Sequence, residues 1–131
     1  MTPDEVIDSV CQWYDMTRDE LIADFKRDWR KDRFIMQRWI TAHVMEEQCR
    51  LSRCEISKIL NRNTATITYA LAKVQYFIGN DPAIDDGIRN VIALARAKQA
   101  ARLITMLHEN TLRAKLTVDE TVKLLAAKVQ V

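Results

Sequence analysis

Residues 60–74 read Leu60-Asn61-Arg62-Asn63-Thr64-Ala65-Thr66-Ile67-Thr68-Tyr69-Ala70-Leu71-Ala72-Lys73-Val74. Polar residues 61–63 interrupt an apolar pattern, and Asn63 has the short acceptor side chain that caps a helix beginning at Thr64. From there Ile67, Ala70, Leu71 and Val74 recur at helical spacing, which predicts a single stripe turned toward a core. Asn63, Thr64, Thr66 and Tyr69 fall off that stripe. Upstream, Ser52 followed three residues later by Glu55 predicts the start of a shorter helix carrying Ile56, Ile59 and Leu60. The local plan is a short helix, a tight polar turn and a longer helix that stops at Gly79.

The same start signal recurs at Thr2/Glu5, Thr17/Glu20 and Thr117/Glu120, where hydroxyl and carboxylate together satisfy the orphan amides of a first turn. Pro3 and the Asp81-Pro82 pair add first-turn prolines, whose missing N–H costs nothing there. A helix over residues 3–14 is expected to bury Val6, Ile7, Val10 and Trp13, and a short one to carry Leu21, Ile22 and Phe25. A third, over residues 32–49, places Ile35, Trp39, Ala42 and Met45 on one face with Ile40 and Val44 beside them. After Gly79 a helix is expected from 81 to 109, followed by a separately capped one over 117–129. The fold class is therefore all-α. A compact helical domain of about six helices covers residues 1–95, and a C-terminal helical extension covers 96–131.

Composition agrees. The chain has 131 residues, 48% of them apolar, which suits one core and rules out two large domains. Two glycines and two prolines leave almost nothing for hairpin turns or Gly-rich phosphate loops, so an all-β fold is excluded. No window reaches the length of a membrane span, and the start Met1-Thr2-Pro3-Asp4-Glu5 is acidic, unlike a secretory signal, so a cytoplasmic protein is expected. Cys11, Cys49 and Cys54 form no close pair and are expected as reduced thiols, buried in preference to metal-bound.

Net charge is only +2, but it is unevenly divided. Residues 1–25 hold one basic and seven acidic side chains, whereas residues 26–75 hold eleven and five. A concentrated cation on a nearly neutral chain is what binding to a phosphate backbone requires, because each neutralised phosphate releases counterions. Lys26, Arg27, Arg30, Lys31, Arg33 and Arg38 precede the two-helix unit, Arg50 and Arg53 stand at its beginning, and Arg62 lies in its turn. In a helix-turn-helix the second helix enters the major groove, with short polar side chains on its first turn and apolar ones on its inner face. The sequence thus predicts a binder of double-stranded DNA, with Arg30, Lys31, Arg33, Arg50, Arg53, Tyr69 and Lys73 as phosphate contacts and Thr66 among the base contacts.

Residues 7 to about 94 resemble the C-terminal DNA-binding domain of the bacterial replication initiator DnaA, a Trp-repressor-like helical fold. The matching features are Val6-Ile7-Asp8 with Trp13-Tyr14, Leu21, the basic loop, Arg38 at the Arg of the family's Pro-Arg-Gln, and Glu55-Ile56. Residues 60–67 are similar to the family's Phe-Gly-Gly-Arg-Asp-His-Thr-Thr-Val with one Gly missing, and Ala70 and Lys73-Val74 continue the match. The resemblance implies that Arg38 enters the minor groove and that Arg62 approaches the backbone or a base. The family's base-reading Asp, His and first Thr fall on Asn63, Thr64 and Ala65. All three have changed, so a different base preference is expected. No Walker-type Gly-x-x-x-x-Gly-Lys motif is present, so ATP-driven helicase loading is not expected. Stand-alone modules of this kind resemble transcription regulators of phages and activators of gene transfer agents; the alternative is a replication-origin factor.

Other readings weigh less. An enzyme needs convergent nucleophile, base and oxyanion donors, and the sequence offers only His43, His108 and scattered carboxylates. His43 with Cys49 and Cys54 lacks a fourth zinc ligand. Trp29 beside the basic run suits stacking on single strands but also the edge of a core. No cofactor is implied. Leu103, Ile104, Leu107, Leu112, Leu116, Val122, Leu125 and Val129 make the C-terminal segment amphipathic. It is expected to pack on its own domain, the alternatives being a homodimer seam or a docking face for a second regulatory protein or RNA polymerase.

Overall fold

The computed structural model describes residues 1–22 and 34–129, without the side chains of residues 116, 124 and 127–129. Among the described residues every regular element is a helix: α1 (Pro3–Tyr14), α2 (Arg18–Leu21), α3 (Ile35–Gln48), α4 (Arg53–Ile59), α5 (Thr64–Phe77) and α6 (Pro82–Val129). The chain divides into two units, Met1–Lys98 and Gln99–Val131.

Helix starts follow the side-chain chemistry. Thr2 and Thr17 each accept from the amide three residues on, while Glu5 and Glu20 accept from the Thr2 and Thr17 amides at 2.8 and 2.9 Å. Ser52 forms half of this arrangement: its hydroxyl accepts from the Glu55 amide but donates to the Glu55 carboxylate. Helix ends are made almost without glycine. Asp15, Arg50 and Asn61 take the left-handed conformation, with φ of 50°, 55° and 55°. Short side chains that hydrogen-bond locally make that geometry tolerable for Asp and Asn.

In the first unit α3 is the central element, packed against α1, α4 and α5. Its fully buried Ile40, Ala42, Val44 and Met45 meet Val6, Ile7 and Val10 of α1, Ile56 of α4, and Ile67 and Ala70 of α5 in one cluster. Each large aliphatic side chain removed from water in this way contributes about 1.5–3 kcal/mol. Val91 from the beginning of α6 joins the cluster. Gly87 explains how α6 comes so close: a Cβ there would collide with the Tyr14 hydroxyl and stand 2.8 Å from Ile40 Cδ1.

Three local expectations are corrected. Trp13 is not buried with Val6, Ile7 and Val10 but about half exposed, because in the last turn of α1 it is Cys11 and Tyr14 that turn toward the core. The third helix begins at Ile35 rather than 32, and Phe25 lies outside the described residues. The separate helix over 117–129 does not exist: α6 runs unbroken through this region, and the Thr117 hydroxyl donates to the Arg113 carbonyl at 3.0 Å instead of capping a new start. Residues 110–116 contain neither Gly nor Pro, so nothing stops the helix. In the second unit Leu103, Ile104, Leu107, Leu112, Val122 and Leu125 are exposed.

Candidate nucleic-acid interface

The turn between α4 and α5 is closed by its own backbone. Asn61 is left-handed, its amide donates to the Lys58 carbonyl at 3.4 Å, and the Arg62 amide donates to the Ser57 carbonyl at 2.9 Å. This pair of bonds terminates α4 in the way glycine usually does. Two residues later Asn63 Oδ1 accepts from the Thr66 amide at 2.8 Å and from the Thr66 hydroxyl at 2.9 Å, which starts α5. Its oxygen is therefore occupied inside the turn, and the amide NH2 is what Asn63 can offer a partner.

The buried residues of α5 are Ile67, Ala70, Leu71 and Val74, as the spacing predicts. Its exposed residues include Thr64, Ala65, Thr68, Tyr69, Ala72, Gln75 and Tyr76. Thr64, Thr68 and Ala72 are spaced by four and form one ridge, with Ala65 and Tyr69 beside it. Thr68 and Ala72 were absent from the sequence-based candidates, although they lie opposite the apolar stripe. Thr66 is half-buried through its bond to Asn63.

The cations arrange themselves differently from the sequence-based expectation. Arg38 is wholly buried, its Nε donating to the Leu21 carbonyl at 2.8 Å and its Nη2 to the Glu20 carbonyl at 2.6 Å. It therefore secures the end of α2 from within, and the expected groove contact is corrected to a structural role. Arg62 is also buried, with Nη1 donating to the Asn61 carbonyl at 2.8 Å, so its guanidinium braces the turn instead of facing outward. Arg30, Lys31 and Arg33 lie outside the described residues.

Of the remaining candidates, Arg50 is exposed at the end of α3. Arg53 is half-exposed between Glu46, at 3.7 Å, and the Thr68 hydroxyl, to which it donates at 3.4 Å. That contact sets a guanidinium directly beside the α5 ridge. Lys58, which the sequence reading did not single out, is exposed in the last turn of α4. Lys73 Nζ stands 5.2 Å from the centre of the Tyr69 ring, a cation–π distance, and Tyr69 meets Trp39 edge-on at 6.3 Å. Trp39 in turn stacks on Phe77, so the aromatic side of α5 is tied to α3.

The catalytic and metal alternatives gain nothing from the geometry. His43 is buried with Nε2 3.2 Å from Glu47, and no cluster of three His, Cys, Asp or Glu suited to a metal occurs among the described residues. The three cysteines are free thiols, but Cys54 is exposed, not buried. Burial raises the thiol pKa of Cys11 and Cys49 above the ordinary range. Compared with known proteins, the chain matches no family model, and no curated protein matches it.

Proposed function

We propose that this protein binds double-stranded DNA in a sequence-dependent manner and acts as a transcription regulator, with α5 as the helix that enters the major groove. The observation that carries this reading is the outer face of α5. Over its fourteen residues Lys73 is the only charged side chain, in a chain that is 29% charged. A solvent-facing helix ordinarily carries charges on its outer side. This one offers hydroxyls, methyls and an amide, has no carboxylate of its own to repel phosphate, and has the Arg53 guanidinium in contact with Thr68. Short side chains permit close approach to base edges, and threonine and alanine methyls suit contact with thymine methyl groups. The resemblance to the DnaA C-terminal domain supports the same helix, while the three changed positions Asn63, Thr64 and Ala65 point to a different target sequence.

Selection of bound duplexes from a random pool tests the proposal, followed by fluorescence anisotropy on the selected sequence. A single preferred motif is expected, with affinity falling steeply as salt rises. Thr68→Glu, which places a carboxylate on an exposed position of the ridge, should abolish binding while leaving the helical circular dichroism intact. Thr64→Ala should relax base preference more than affinity. Binding by both variants indistinguishable from the parent would overturn the reading. Occupancy in cells at promoters is expected; occupancy confined to a replication origin would favour an origin factor.

A further inference from the structure

Arg53 was expected at the phosphate backbone, yet its setting suits a different partner. It is the first residue of α4, and its side chain reaches α5, where Nη1 donates to the Thr68 hydroxyl at 3.4 Å. Its Nε stands 3.7 Å from a carboxylate oxygen of Glu46, in the last turn of α3. One guanidinium therefore joins three helices. We propose that Arg53 reads a guanine in the major groove, with Glu46 and Thr68 as the residues that position its guanidinium. The proposal rests on the DNA-binding reading of α5 and adds to it a residue, a base and an orienting pair.

Three observations favour a base over a phosphate. The first is place. Thr68 is the middle member of the ridge formed by Thr64, Thr68 and Ala72, so a guanidinium bonded to it lies where base edges are read, whereas phosphates line the rim of a groove. The second is charge. Arg53 is paired with the Glu46 carboxylate, and the pair has no net charge. That carboxylate opposes a phosphate, but guanine O6 and N7 are neutral acceptors that a paired guanidinium still serves. The third is the set of donors left over. A guanidinium has five N–H groups in a fixed fork. With Nε beside Glu46 and one Nη1 hydrogen given to Thr68, both hydrogens of Nη2 and the second of Nη1 take no bond among the described residues. Two parallel N–H groups match guanine alone, since no other base sets two acceptors side by side in the major groove. Holding the side chain before DNA arrives also reduces the rotamer entropy lost on binding.

Duplex selection with the full chain, followed by fluorescence anisotropy, tests this. The parent's motif should contain a guanine whose replacement by 7-deazaguanine, which lacks the N7 acceptor, weakens binding by about three- to tenfold. This probe leaves the protein intact, so misfolding cannot imitate it. Arg53→Ala should lose the preference for that guanine, keep the rest of the motif and be indifferent to the 7-deaza base. Glu46→Gln should move two readouts in opposite directions: tighter binding to duplexes of random sequence, because a carboxylate near the phosphates is gone, and a weaker preference for the guanine, because the fork is no longer held. In the Arg53→Ala background its effect on base preference should vanish. Arg53→Ala weakening every duplex alike, with a salt slope smaller by about one, would identify a phosphate contact and overturn the inference while the DNA-binding reading stands. So would parental binding indifferent to 7-deazaguanine throughout the motif. A guanine preference unmoved by Glu46→Gln would overturn the positioning role, and a parent that binds no duplex would overturn both the inference and the reading beneath it.

Discussion

Replacing Arg38 separates a structural cation from a DNA-contacting one. Its guanidinium is fully buried and donates to two main-chain carbonyls, those of Glu20 and Leu21, at the end of a helix only four residues long. A helix that short does not hold itself, and the bonds from α3 join the Thr17 cap and the Arg18–Asp4 pair in holding it. Arg38→Ala removes two charge-assisted hydrogen bonds of about 1.5–3 kcal/mol each and leaves both carbonyls without that donor, giving an expected loss of about 3–6 kcal/mol. For a domain of this size that lowers Tm by about 10–20 °C. Arg38→Met keeps most of the stem volume and should still cost about 2–4 kcal/mol. Urea denaturation followed by circular dichroism measures both, with unchanged slope as the sign that the denatured state is unaltered. DNA affinity of the folded fraction should fall little. If Arg38→Met keeps the parent's urea midpoint but loses DNA binding, the guanidinium works outside the core and the structural assignment is refuted.

Gly87→Ala should destabilise by about 1–2 kcal/mol despite alanine's better helix propensity, because its Cβ meets the Tyr14 hydroxyl and Ile40; thermal unfolding reads the sign. Tyr14→Phe should be neutral or stabilising by up to about 1 kcal/mol, since the Tyr14 hydroxyl is buried without a hydrogen-bond partner among the described residues, and it should improve the tolerance of Gly87→Ala in the double variant. Burial raises the pKa of Cys11, Cys49 and Tyr14, each of which is neutral when protonated. Their contribution to stability is therefore complete below the unfolded values and is lost as pH rises through the folded ones, so urea midpoints should fall above about pH 9 and the fall should shrink in Cys11→Ala. Thr17→Ala should cost about 1 kcal/mol through the lost cap, checked by urea denaturation against Asp19→Ala as an exposed control.

Helix starts were legible because a cap is a local event: Thr2, Thr17 and Asn63 bond to amides three residues away, whatever the rest of the chain does. The inward stripe of α5 was legible for the same reason, its period being a property of one helix. What escaped depended on context. Arg38 looks like a surface charge by type, yet it shares a helical side with Thr41, Ala42 and Met45, and that spacing was the available sign of burial. Arg62 sits in a polar turn whose path carries it inward through a bond between main-chain atoms, which side-chain type does not announce. Thr117 and Glu120 have the spacing of a helix start, but a threonine inside a helix is equally satisfied by the carbonyl four residues back. Trp13 continues the period of Val6 and Val10, but in that last turn it is the neighbouring Tyr14 that meets the core.

The closure of the turn before α5 by main-chain bonds has a bearing on how this molecule can diverge. Ser57 and Lys58 take part through their carbonyls, Asn61 and Arg62 through their amides, and the anchor of α5 lies in Ile67, Ala70, Leu71 and Val74. Residues 64, 65 and 72 contribute to neither, and Thr68 only through the bond its exposed hydroxyl accepts from Arg53. Mutational drift at those sites leaves the main mounting of the helix in place, so on the proposed reading of α5 descendants of this sequence would change their target preference one substitution at a time without passing through unfolded intermediates.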